Sequence, residues 1–266
     1  MLDIVKADPA GNITIFVLNG QELDAAGRVK AAKTLLADKG LGAEQVGFVS
    51  PPAGEDGLWR LTMMGGEFCG NAARSLGLFA ARKMGLHGRR KFTVDVSGAA
   101  HPVVVDVDCD SGDAAAAIPP PAGGALGFGG KTLPVYRFDG ISHVIVEDAP
   151  PDKSMFFKVK ALFESRFGKP DALGVMFYDS VKDFLRPAVY VYASESLVFE
   201  SSCGSGAAAL ACHRLSKMDG MDAVIPVKQP GGLITVRVVT EDGLPRHIWI
   251  GGKVTLSEIT NFPIDC

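Results

Sequence analysis

An excess of charge of one sign is missing from this chain. Its 27 Lys and Arg stand against 30 Asp and Glu, for a net charge of −3 and a pI near 6.0. That balance leaves no basic footprint for nucleic acid or an anionic membrane, so the expected partner is a small molecule. No apolar run reaches the roughly 20 residues of a spanning helix. The first residues put Asp3 and Asp8 where a leader peptide needs an apolar core, so the chain reads as cytoplasmic. Cysteine is scarce and odd in number: Cys69, Cys109, Cys203, Cys212 and Cys266. Without short repeated spacings these five exclude a disulfide framework and a zinc site, and no metal is expected. At 266 residues, 47% hydrophobic and 21% charged, the chain has the material for one large or two medium domains.

Two short runs stand out. Gly65-Gly66-Glu67-Phe68-Cys69-Gly70-Asn71-Ala72-Ala73-Arg74 and Glu200-Ser201-Ser202-Cys203-Gly204-Ser205-Gly206-Ala207-Ala208 share the form Cys-Gly-polar-small-Ala. Each opens an alanine-rich segment with helical periodicity. A cysteine just before a helix meets unpaired backbone N–H groups and the positive end of the helix dipole. Those features favour thiolate and hold an anion such as a carboxylate. Cys69 and Cys203 are therefore the candidate catalytic residues, and Gly70, Asn71, Gly204 and Ser205 the candidate carboxylate cradle. Two thiols beside one carboxylate suggest an amino-acid racemase. Cys109, Cys212 and Cys266 read as inert, buried small hydrophobes.

The spacing predicts strands over 13–18, 46–49 and 58–64, a helix over 25–37 with Ala26, Val29, Ala32, Leu35 and Leu36 on its inner face, and a helix from Gly70 to about Met84. Further strands are expected at 92–96 and 103–107. Pro119-Pro120-Pro121-Ala122-Gly123-Gly124 is the sharpest change of composition and is taken as a domain boundary. The domains would be 1–121, carrying Cys69, and 122–266, carrying Cys203, with a return of the last residues to the first domain left open. The second half repeats the outline of the first: strands at 133–136 and 143–146, a helix over 154–167, strands at 174–178 and 188–193, then Cys203 and its helix. The turn Gln229-Pro230-Gly231-Gly232 and strands at 233–239 and 248–256 follow. Two like domains would set the two marked helices across a cleft from each other.

On these residues the chain resembles the diaminopimelate epimerase-like superfamily of cofactor-independent racemases. The family's Cys-Gly-Asn motif stands here as Cys69-Gly70-Asn71, and its Cys-Gly-Thr/Ser-Gly motif as Cys203-Gly204-Ser205-Gly206. Gly11-Asn12, Gln45, Gly140-Ile141-Ser142-His143, Glu195 and Pro230-Gly231-Gly232 agree as anchors. The resemblance implies an α/β (α+β) fold of two similar domains, each a mainly antiparallel, barrel-like sheet around a central helix. It also departs from diaminopimelate epimerase itself. The arginine that grips the substrate's distal end falls at Ser196, and three distal asparagines fall at Ile141, Gly174 and near Met63. A distal carboxylate would be buried there without partners. The run from Gly65 to Ala72 looks most like the histidine racemase branch, which implies interconversion of L- and D-histidine. Diaminopimelate epimerisation is the alternative, with Arg60 or Arg74 then supplying the grip.

The implied reaction uses two bases on opposite faces of Cα, one thiolate and one thiol, holding one proton between them. It needs no cofactor; no pyridoxal phosphate is expected. His143 and Glu195 are candidates to assist the thiols, Asn12 and Gln45 to contact substrate polar groups, and Glu44 to meet an imidazole. A homodimer is the candidate assembly. Two other classes compete. A thiol hydrolase would pair Cys203 with His143 or His213. A non-catalytic amino-acid binder would use the helix ends alone. Both leave the duplicated cysteine unexplained.

Overall fold

The structure, a computed structural model, describes residues 1–53, 57–193, 195–217 and 221–264. It divides into two compact units, Met1–Ala117 with Gly251–Cys266, and Ile118–Ile250. Cys266 and residues 54–56 of the expected turn at 50–57 lie outside the described residues.

The first unit runs β1 (Leu2–Asp8), β2 (Thr14–Val17), α1 (Ala25–Ala37), β3 (Gln45–Ser50), β4 (Arg60–Met63), α2 (Gly70–Lys83), β5 (Arg89–Val96), β6 (Val103–Asp108) and β7 (Asp113–Ile118). β1 pairs antiparallel with β2, as do β3 with β4, β5 with β6 and β6 with β7. The parallel pairs β2–β3 and β4–β5 are those bridged by α1 and α2, because a parallel pair needs a crossover. Asp24 starts α1 by accepting from the Gly27 N–H at 2.7 Å. The inner face of α1 is Ala31, Ala32 and Leu35, packed on Leu2, Ile4, Ile15, Val17 and Phe48. Of the expected face Ala32, Leu35 and Leu36 pack on this cluster, whereas Ala26 and Val29 in the first two turns are exposed.

The second unit runs β8 (Ala122–Phe128), β9 (Lys131–Arg137), β10 (Ile141–Glu147), α3 (Lys153–Phe167), β11 (Ala172–Asp179), β12 (Phe184–Val191), β13 (Ser196–Phe199), α4 (Gly204–Leu215), β14 (Ala223–Gln229) and β15 (Gly232–Glu241). β16 (Leu244–Lys253) leads into β17 (Thr255–Leu256) and β18 (Thr260–Phe262), which pair with β1 in the first unit. The single strand expected over 248–256 is thus a strand end, a break and a short second strand. Again the helix-bridged pairs, β10–β11 and β12–β14, are parallel, and β9–β10, β11–β12, β12–β13 and β14–β15 are antiparallel. Phe156, Val159 and Phe163 of α3 bury against β10 and β11, each contributing roughly 1.5–3 kcal/mol. Ala122–Gly124, read as a linker, belongs to β8. Its residues are mostly exposed and small, so no apolar alternation marks it as a strand.

The order strand, strand, helix, strand, strand, helix, strand, strand, strand therefore occurs twice, with β8 and β13 added in the second unit. In each unit the second helix is enclosed. Every residue of α2 from Gly70 to Ala81 is buried, and so are ten of the twelve residues of α4. Alanine and glycine make this possible. At Gly77 a Cβ would stand 2.9 Å from the Val105 side chain; only a slim helix fits so close to its sheet. The α+β class expected from the resemblance is what the chain adopts.

Candidate active site

The two cysteines are the N-caps of the two enclosed helices. Cys69 has φ −130° and ψ 111°, Cys203 φ −129° and ψ 116°. Each sulfur accepts a backbone N–H from the third residue on, Ala72 or Gly206, at 3.4 Å. Gly70, Asn71, Gly204 and Ser205 are the first two residues of their helices, whose leading N–H groups have no intrahelical acceptor. Gly206 has a steric reason as well: a Cβ there would collide with the Met176 sulfur.

Around Cys69 the side chains form a chain of hydrogen bonds. The thiol donates to Gln45 Oε1 at 3.2 Å, and Thr14 Oγ1 reaches the same oxygen at 3.5 Å. Asn71 Nδ2 donates to Asn12 Oδ1 at 3.3 Å, and Asn12 Nδ2 to Glu44 Oε2 at 2.8 Å. Asn12 and Asn71 are buried, Glu44 and Gln45 half-buried. All six residues expected in this half, Asn12, Glu44, Gln45, Cys69, Gly70 and Asn71, are thus brought together. Arg74 lies beneath them with none of its surface exposed. Its Nε donates to Asn71 Oδ1 at 3.2 Å and its terminal nitrogens to the carbonyls of Pro9, Gly252 and Lys253. Burial pulls its guanidinium down to about 10, and the neighbouring Cys69 and then Asp8 oppose that shift, so it stays charged at neutral pH. Arg74 is too deeply engaged to grip a substrate's distal end, and Arg60 is ion-paired with Asp95 at 3.1 Å.

In the second half Cys203 lies beside a hydroxyl and, beyond it, an imidazole. Cys203 Sγ lies 3.6 Å from Ser205 Oγ, and Ser205 Oγ lies 2.8 Å from His143 Nε2. His143 is fully buried, which pushes its imidazole down to about 3 and keeps it uncharged. Its Nδ1 has no partner among the described residues. Gly174 leaves room for this ring, since a Cβ there would strike the His143 Nδ1. Gln229 was missed as a site residue. Its Oε1 accepts from the Cys203 N–H at 2.8 Å and fixes the cap from behind. Only its place ahead of Pro230-Gly231-Gly232 hinted at it.

Glu195, expected to assist the thiols, is not joined to this half. It occupies the exposed turn between β12 and β13 at φ 50°, and its backbone N–H bonds Tyr192 O. The left-handed backbone of the turn carries its side chain outward. His213 is likewise no partner for Cys203. It sits nine residues into α4, roughly 14 Å along the axis at 1.5 Å per residue, beside Glu147 at 3.3 Å. A hydrolase pairing through His213 is therefore excluded. Cys109 and Cys212 are buried as expected, and burial pushes the Cys212 thiol up to about 12. Ile141, Gly174 and Met63 offer no side-chain hydrogen bond to a distal charge, and Met63 is fully buried. Among the described residues no three metal-ligating side chains gather into a possible site, and no helix is long and apolar enough to cross a membrane.

A family described as the histidine racemase CntK N-terminal domain matches residues 1–259. A histidine racemase of Fusobacterium nucleatum is 34% identical, over 96% of this chain and 97% of its own. A predicted epimerase of Pseudomonas aeruginosa superposes with a TM-score of 0.71 over the whole of both chains at 15% identity. A hydroxyproline epimerase of Agrobacterium vitis superposes with a TM-score of 0.63, over 97% of this chain and 90% of its own, at 11% identity. These two share the fold with this chain. The paired cysteine caps and the match along almost the full length lead to one conclusion: the chain belongs to the histidine racemase family, and it is an isomerase of the amino-acid racemase class.

Proposed function

We propose that the chain interconverts L- and D-histidine without a cofactor, with Cys69 and Cys203 as the two bases. The observation that carries this reading is the repeated cap: two thiols set at helix N-termini with backbone angles within a few degrees of each other. One thiolate takes the Cα proton and the other thiol returns one from the opposite face. The pair holds a single proton before and after, with the roles exchanged. The leading N–H groups at Gly70-Asn71 and Gly204-Ser205 stabilise the negative charge that grows on the substrate carboxylate.

His143 supports Cys203 through Ser205, and Gln45 supports Cys69. Asn12 and Asn71 orient the substrate's polar groups, and Glu44 accepts from its imidazole. The histidine choice rests on a relative at 34% identity and on the loss of the arginine and amides at the distal-grip positions, where Ser196, Ile141, Gly174 and Met63 stand. A site without partners for a buried charge rejects it strongly. The test is α-hydrogen exchange in heavy water, followed by proton NMR and chiral chromatography on L-histidine, a panel of other L-amino acids and diaminopimelate. Exchange and racemisation fastest on histidine is expected. A preference for diaminopimelate overturns the substrate, and no exchange on any amino acid overturns the mechanism.

A further inference from the structure

Side chains along β10 and β11 alternate between the two faces of their sheet. Val144, Val146, Leu173, Val175 and Phe177 pack with α3. His143, Gly174 and Met176 face the other way, toward the first turn of α4. There the Met176 sulfur lies against Gly206, and His143 Nε2 stands 2.8 Å from Ser205 Oγ. The His143 ring is fully buried and neutral, so it carries one N–H and one bare nitrogen. Which nitrogen holds the proton is ordinarily set by the hydrogen bond that the other one makes. Here Nδ1 makes none among the described residues.

The group that faces Nδ1 is a carbon. A Cβ built on Gly174 would fall on Nδ1, 2.7 Å from the Met176 methyl and 2.8 Å from His143 Cε1. The glycine hydrogen along that direction therefore points at Nδ1, and the Met176 methyl packs at the same spot. A Cα–H is a weak donor, and it complements a lone pair. A proton on Nδ1 would be a buried donor turned toward another hydrogen, with no acceptor. Orphaned buried N–H groups are rare, whereas under-satisfied acceptors are better tolerated.

We propose that Gly174 is a positioning residue that fixes the tautomer of His143, with the proton on Nε2 and donated to Ser205 Oγ. Ser205 then accepts from the ring, and its own hydroxyl hydrogen is free to turn to Cys203 Sγ, 3.6 Å away. In the opposite tautomer the hydroxyl would give its hydrogen to Nε2 and offer the sulfur only lone pairs. The tautomer thus decides whether Cys203 has a hydroxyl donor whenever it is the thiolate, in either direction of the reaction. The use of that donor rests on the two-thiol reading; the tautomer itself does not.

The first test reads the ring nitrogens of the unsubstituted chain. Histidine labelled with nitrogen-15 is incorporated, and long-range proton–nitrogen NMR is recorded at pH 7, with His143 assigned by the signals lost in His143→Phe. A protonated Nε2 and a bare Nδ1 are expected. A proton on Nδ1, or a ring averaged between the two tautomers, overturns the proposal. Gly174→Ala sets a methyl group against Nδ1 and should shift both ring signals. Unmoved signals in that variant overturn the role of Gly174, and where it does not fold the unsubstituted chain decides. The second test reads the thiol, as the pH dependence of iodoacetamide alkylation at Cys203 in a Cys69→Ser chain. Adding Ser205→Ala should raise the midpoint by about one pH unit, the worth of one hydrogen bond to a charged group. Ser205→Thr keeps the hydroxyl and should hold the midpoint. An unmoved midpoint in Ser205→Ala overturns the link from the ring to the thiol. Neither readout needs turnover. Failure of the racemase reading shows separately, as absent α-hydrogen exchange in the unsubstituted chain.

Discussion

Strand for strand, the two units place an aromatic ring at the same point and make different use of it. In the first unit β2 runs parallel to β3 with Phe16 opposite Gly47; in the second, β10 runs parallel to β11 with His143 opposite Gly174. Both rings are fully buried; Gly174 makes room for the His143 ring, whereas Gly47 makes room for the Leu61 side chain of the next strand. Phe16 is core. His143 is a core ring with a nitrogen, and that nitrogen meets Ser205 at 2.8 Å beside the second thiol. The first unit instead surrounds its thiol with amides, a carboxylate and a buried arginine. The difference teaches that the duplicated backbone sets the two cysteine caps alike, while the side chains around them give each thiol different neighbours.

The strongest way to break the comparison is to remove one thiol at a time. Cys69→Ser and Cys203→Ser should each lower racemisation by about 10³-fold or more, as loss of a general acid–base group does. Each variant should still exchange the α-hydrogen of one enantiomer, and of opposite enantiomers in the two cases. Proton NMR in heavy water on separate L- and D-histidine samples checks this. Full racemisation by either variant would make that cysteine structural.

A subtler substitution makes the second unit copy the first. His143→Phe should fold, because Phe16 already fills the equivalent place and the buried Nδ1 has no partner to lose among the described residues. It should lower kcat by about 10- to 100-fold with a small change in KM, since it removes the relay behind Cys203 and leaves the carboxylate cradle. A kcat equal to that of the unsubstituted chain would reduce His143 to packing.

The same residue sets a pH dependence of stability. Its imidazole is held down at about 3 in the fold against an ordinary value of 6.5. Between those values the unfolded chain binds a proton that the folded chain does not, so stability is lost as pH falls. The slope is on the order of 1.4 kcal/mol per pH unit from this one group. His213, also held down mainly by burial, adds a slope of the same sign. Both lie in the second unit; the histidines of the first, His87 and His101, are exposed. Urea denaturation between pH 7 and pH 4 should show the loss, and His143→Phe should flatten it.

The smallest effects separate the two glutamines. Gln229→Ala leaves the buried Cys203 N–H without its acceptor and should cost about 1–3 kcal/mol of stability, read as a shift in the urea midpoint. Gln45→Ala touches a half-buried thiol that water can reach, so its effect should appear in kcat and hardly in stability. Equal stability losses in the two variants would mean that the caps are supported alike.

Local patterns carried far in this chain. The two cysteine runs announced two helix starts, and the structure begins α2 and α4 at Gly70 and Gly204. The helix over 25–37 has the bounds that its periodicity and cap predict. Strands with buried apolar runs, such as those around 46–49 and 143–146, were legible for the same reason. β1, β7, β8, β13, β14 and β18 were not: most have residues that are small or largely exposed, and β1 takes its place by pairing with β2, β17 and β18, which only the fold supplies.

By itself, then, the sequence determined what depends on neighbours within a few residues: the duplicated caps, the helices and the buried strands. Tertiary structure alone decided what depends on residues far apart. It buried Arg74 against carbonyls from Pro9 and Gly252, set Gln229 behind Cys203 and Ser205 under His143, and turned Glu195 outward. The physical reason is that hydrogen bonds and burial are settled by distance in space, and these partners are brought together only when the sheets close around their helices.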